Sequence, residues 1–223
     1  MGGIVKLSAQ DLSPTEQKEL QKRYFGNLDL MKADKLYWSG KTKESQPLYA
    51  SARRAFEIQQ NWKAYISTSS SLAKSLGDGE TFEEGITIAK ESIRLIEEQA
   101  PAYKKYCNRI YHSLAAIYQW AGQAEYALPF AHQSLACLRV QDNTEENASF
   151  GYYYNGLGTI HRDMGDLDSA LYYFEKGKVV LQKEVNQKIF EHARTYEHIG
   201  ALHATRGNFD KAIEDTQKGL KIA

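Results

Sequence analysis

Side chains able to do chemistry are present in this chain, but their spacing withholds the usual arrangements. The six histidines are His112, His132, His161, His192, His198 and His203. No two of them form the HExxH pair that would place two imidazoles one helical turn apart with a base between them. Cys107 and Cys137 form no metal-spaced cluster and read as reduced, buried small hydrophobes. The string Gly77-Asp78-Gly79-Glu80 lacks the Lys-Ser or Lys-Thr that completes a phosphate-binding loop. No serine stands in a Gly-x-Ser-x-Gly nucleophile elbow. The expectation is a chain with no catalytic residue, no metal and no cofactor, and therefore not an enzyme.

What remains is recognition. The 28 Lys+Arg and 28 Asp+Glu cancel. Such a balance argues against a dedicated nucleic-acid binder, whose affinity comes mainly from neutralising phosphates. No stretch approaches the ~20 apolar residues of a membrane helix. The start, MGGIVKLS, is too short and polar for a secretory leader, and Lys6 stands where a myristoylation motif needs Ser or Thr. With reduced cysteines, these features lead to a cytoplasmic expectation.

The elements that must position such residues are written most clearly in Gly151 to Val180, GYYYNGLGTIHRDMGDLDSALYYFEKGKVV. Tyr154, Leu157, Gly158 and His161 mark one face of a first helix; Gly165 ends it. Asp166 and Asp168 open a second helix whose Ala170, Leu171, Phe174, Gly177 and Leu181 recur at three and four. One such hairpin cannot bury its own apolar face. The pattern returns with Gly207, 42 residues after Gly165, and with Gly122, 43 before it. A fainter copy carries Leu72, Ala73, Leu76, Gly85, Ala89 and Ser92 around an altered turn, Asp78-Gly79-Glu80. The faintest carries Ala33, Leu36, Gly40, Ser45, Tyr49 and Ala52. Five units are expected, at 26–65, 66–107, 108–150, 151–192 and 193–223, after an N-terminal segment 1–25.

These residues resemble the tetratricopeptide repeat, which places an aromatic, a Leu-Gly or Leu-Ala pair, an aromatic, a glycine turn, then Ala, an aromatic and Ala at these offsets. The longer spacing, 40 to 43 residues against the usual 34, is similar to that of kinesin light chain and of the bacterial peptide-binding Rap regulators. The resemblance implies an all-α fold, a right-handed α-α superhelix of about five helix hairpins with a short N-terminal helix. It also implies a concave groove lined by the first helix of each unit. The groove offsets fall on Leu30, Asp34, Tyr37 and Trp38; on Lys74; on Arg109, His112, Gln119 and Trp120; on Tyr152, Asn155, Thr159, Arg162 and Asp163; and on Arg194, Glu197 and Ala201. The carboxylate-clamp subfamily does not fit, because Leu30 and Asp34 occupy positions where it needs Lys and Asn, and Ser71 another where it needs Asn. The function implied is a non-catalytic module holding a protein or peptide partner, an adaptor or the interaction region of a larger protein. A peptide-responsive regulator of the Rap kind is the alternative.

Around this array the sequence is plainer. Ser13, Pro14 and Glu16 spell a helix start. The first unit holds a basic excess, Lys32, Lys35, Lys41, Lys43, Arg53 and Arg54, which reads as a solvated face, with a docking surface for an acidic partner as the alternative. Pro101 should break the helix before it, and Gln141 to Asn147 is the most loop-like run. Neither run is long enough for an interdomain linker, so one domain is expected. The last helix stops at Leu220 and Ile222 with no polar capping element after it. The expectation is a fragment of a longer protein or an end that packs on another molecule, with self-association through this C-terminal helix.

Overall fold

The computed structural model describes residues 12–144, 148–182 and 189–222; the start MGGIVKLS and the end of the Gln141–Asn147 run lie outside the described residues. Among the described residues the fold is all-helical. The helices are α1 (Pro14–Tyr24), α2 (Leu28–Trp38), α3 (Thr42–Ile58), α4 (Trp62–Asp78), α5 (Phe82–Gln99), α6 (Asn108–Trp120), α7 (Ala124–Gln141), α8 (Ala148–Asp163), α9 (Leu167–Gln182), α10 (Ile189–Thr205) and α11 (Phe209–Ile222). A leading helix is thus followed by five antiparallel pairs. The second pair starts at Trp62, ahead of the repeat frame set at 66, where Asn61 accepts a hydrogen bond from the Ala64 N–H and caps the helix.

Local chemistry accounts for the helix ends. At α1 the Ser13 hydroxyl accepts from the Glu16 N–H while the Glu16 carboxylate accepts from the Ser13 N–H, a reciprocal box with Pro14 on the first turn. Within each of the five pairs the turn is the same. The residue after the turn donates its N–H to the carbonyl five residues back, as in Lys41 to Leu36, Thr81 to Leu76, Gln123 to Tyr118, Asp166 to His161 and Asn208 to His203. This geometry needs a left-handed residue, supplied by Gly40, Gly122, Gly165 and Gly207. In the second pair the position falls to Glu80 at φ 65°, one residue beyond the glycine that the sequence offers. Pro101 ends α5 as expected, but the chain then winds into a 3₁₀ turn, Pro101–Tyr106, which no periodicity announces.

The pairs close on small residues. A Cβ added to Gly158 would lie 2.5 Å from the Phe174 ring, and one on Gly200 would lie 2.7 Å from the Thr216 hydroxyl. Ala170, fully buried, packs with Phe174, Ile199 and Leu202.

The contacts divide the chain into two compact units, Met1–Tyr103 and Lys104–Ala223. The first holds α1 and two pairs, with Tyr49, Ala52, Phe56 and Tyr65 in its core. The second holds three pairs. In it each helix packs on its neighbours in sequence, and the first helices also meet one another, α6 with α8 and α8 with α10.

Candidate interaction surface

In the second unit the adjoining first helices bring several of the expected residues of α6 and α8 together, with Arg194 on α10. The His112 ring lies 4.6 Å from that of Tyr152 and 5.0 Å from that of Tyr153. His112 fits there because Gly156 has no side chain; a Cβ would approach its imidazole to 3.0 Å. One turn earlier, Asn108 donates to the Tyr153 hydroxyl at 2.7 Å. Burial pushes that phenol up to about 12. At the other end Gln119 donates to Asp163 at 2.5 Å, and Arg162 donates to the same carboxylate at 2.9 and 3.1 Å. Arg194 pairs with Glu191 at 3.3 Å and lies over the Phe190 ring. Thr159 donates to the Gly156 carbonyl. Arg109 is exposed near Tyr153, and Trp120 is 42% exposed at the edge.

Asn155 departs from its expected place. It is 4% exposed and exchanges hydrogen bonds with the Thr195 hydroxyl on α10, at 2.8 and 3.1 Å. Its amide joins two hairpins and does not face the wall. Leu30 is likewise buried, and Asp34 accepts from the buried Tyr49 hydroxyl at 2.6 Å, so both serve packing in the first unit.

The first unit does bring Tyr37, Trp38 and Lys74 together. The Lys74 ammonium lies 5.9 Å over the Tyr37 ring, the Trp38 indole meets that ring edge-on at 5.3 Å, and the Tyr37 hydroxyl donates to Asp78 at the end of α4. Trp38 is 72% exposed. Of the basic residues expected on this unit's surface, Arg53 turns inward. Its guanidinium donates to Ser69, Tyr65 and Ser92, at 3.1, 2.7 and 3.1 Å, tying α3 to α4 and α5.

His161 and His198 fill packing positions. His161 stacks on Tyr173 and lies 3.2 Å from Asp166. His198 stacks on Phe174 at 4.9 Å. Burial, aided by Arg194 and Arg162, lowers its pKa to about 4. His132 and His192 are lowered too, in each case chiefly by burial. Among the described residues no three His, Cys, Asp or Glu side chains gather where they could hold a metal ion. No described helix is long and apolar enough to cross a membrane.

A second surface lies at the last pair. Glu197, Gly200, Ala201 and Ala204 of α10 face Phe209, Ala212, Ile213, Thr216 and Gln217 across a cleft of about 510 Å³. Glu197 and Ala201, expected on the first-helix wall, therefore line this cleft. Sequence reasoning missed the cleft itself and the part of Asn108 and Tyr153 in the wall. The cleft's signal was available in the apolar spacing of α11.

Residues 151–186 match the family model described as tetratricopeptide repeat. No curated protein matches the chain. Among solved structures it is similar to BtubC (BKLC) from P. vanneervenii, at 18% identity over 96% of this chain and 87% of that one, with a TM-score of 0.73. It is also similar to a putative kinesin light chain of nearly identical TPR-like repeats from Podosopora anserina, at 14% identity over 87% and 92%, TM-score 0.65. YrrB, described as a TPR protein with an unusual peptide-binding site, shares 17% identity over 92% and 91%, TM-score 0.50. At these identities the likeness is one of fold. One hairpin thus matches the tetratricopeptide-repeat sequence model, and the chain shares the paired-helix fold of these solved structures along most of its length.

Proposed function

We propose that the chain is a non-catalytic binding module, an adaptor or the interaction region of a larger protein. It holds a protein or peptide segment against the first-helix wall of its second unit. The observation that carries this reading is the make-up of the wall, where His112 and Tyr152 form an aromatic step between polar groups already oriented by one another. A peptide docking there meets side chains that have lost their rotamer freedom beforehand, which lowers the cost of binding. The Arg162–Asp163 and Arg194–Glu191 pairs leave the wall close to neutral. That favours a partner recognised by side-chain rings and backbone amides over one recognised by charge. Tyr37, Trp38 and Lys74 form a second, smaller patch of the same chemistry on the first unit.

The test is selection of peptides from a random display library on the full chain, followed by titration of the winners by fluorescence anisotropy. Tyr152→Ala and Arg109→Ala are expected to weaken binding about tenfold or more, and Lys43→Glu to leave it nearly unchanged. Peptides that ignore both wall substitutions and respond to charge reversal at Lys32, Lys35 and Arg54 would move the site to the basic first unit.

A further inference from the structure

The outer face of the last hairpin has a pattern that the binding wall does not use. On α11, Phe209, Ile213, Thr216 and Leu220 follow one another at intervals of four, three and four, the spacing of a two-helix seam. Phe209, Ile213 and Leu220 are 65%, 57% and 70% exposed.

Charge says what fits here. One residue along from the apolar stripe runs a parallel edge, Asp210, Glu214, Gln217 and Lys221, acidic at the helix start and basic at its end. Glu214 is occupied by Lys218 at 2.8 Å. Among the described residues, Asp210 and Lys221 have neither an ion pair nor a side-chain hydrogen bond. A like helix laid parallel would set Asp210 against Asp210 and Lys221 against Lys221. Laid antiparallel, it sets each Asp210 against a Lys221, Phe209 against Leu220 and Ile213 against Thr216, and it opposes the two helix dipoles. The stripe is about 16 Å long at 1.5 Å per residue, and both ends are satisfied by a second copy of the same sequence.

We propose that two copies of the chain associate through this face, α11 against α11, antiparallel about a twofold axis. The contact is isologous, so every pair forms twice and the assembly closes at two. It reaches α10 only at the cleft lined by Glu197, Gly200, Ala201 and Ala204 and leaves the His112–Tyr152 step of α6 and α8 out of the seam.

The test is sedimentation equilibrium of the full chain over a concentration series. A concentration-dependent monomer–dimer equilibrium is expected. Ile213→Asp with Leu220→Asp should abolish the dimer while the far-ultraviolet circular dichroism stays helical, because both side chains are already exposed. Asp210→Lys alone and Lys221→Asp alone should each raise the dissociation constant about tenfold. The double exchange Asp210→Lys/Lys221→Asp should bring it back to within about threefold of the starting value. A chain that stays monomeric up to about 1 mM, or a dimer indifferent to Ile213→Asp/Leu220→Asp, overturns the proposal. Failure of the double exchange to rescue the single ones overturns the antiparallel arrangement.

Discussion

A buried amide gains little by being hydrogen-bonded and loses much by being left alone. Asn155 holds both of its polar atoms against Thr195, forty residues away in sequence, with Gly177 close behind it. Asn155→Ala removes the bridge and opens a gap, so an unfolding free-energy loss of about 1–3 kcal/mol is expected in urea titration. Thr195→Val should cost at least as much, because it leaves the amide buried and unpaired. A variant that unfolds like the parent but binds peptides more weakly would return Asn155 to the wall. Nothing in the type of this residue announces its use. An asparagine at a groove offset reads as a ligand, and only the third dimension brings Thr195 to it. Arg53 misleads in the same way, since a long side chain at a surface-like position reaches three hydroxyls inward that sequence spacing does not connect.

The helix pair is the element that the sequence states most openly, because its turn requires a backbone conformation that few residues accept. Gly165 sits at φ 82° with no atom within 4 Å of where a side chain would begin. Gly165→Ala is therefore a pure backbone penalty of roughly 1–2 kcal/mol. In the second pair the left-handed position belongs to Glu80, so Glu80→Gly should have the opposite sign and leave stability unchanged or raised by up to about 1 kcal/mol. Thermal melts of the two variants, moving in opposite directions, check this shared turn; a loss in both would refute it. Packing inside the pair is as tightly specified. Ala170→Leu pushes a larger side chain between Phe174, Ile199 and Leu202, with an expected loss of about 1–3 kcal/mol in the same melts. The small residues at 158, 170 and 177 made that contact readable in advance. The 3₁₀ turn that begins at Pro101 was not readable, because six residues leave no period to detect.

At the scale of the molecule, the imidazoles are spread unevenly over the two compact units. All six histidines lie in residues 104–223 and none in 1–103. Three of them, His132, His192 and His198, have pKa values below the ordinary imidazole value, chiefly through burial. A histidine lowered in the folded state takes its proton first in the unfolded chain, so stability falls as the pH drops below about 6.5. For His198, at about 4, that loss reaches on the order of 2 kcal/mol by pH 5. The second unit should melt earlier at pH 5 than at pH 7, while the first hardly moves. With Trp120→Phe the remaining indoles, Trp38 and Trp62, belong to the first unit. Their fluorescence should then give nearly one midpoint at both pH values while circular dichroism develops a second, lower one. Equal shifts by both probes would contradict the assignment. An uneven spread of one residue type thus makes every molecule its own calibrated thermometer, the histidine-free half serving as the internal standard against which acid damage to the other is read.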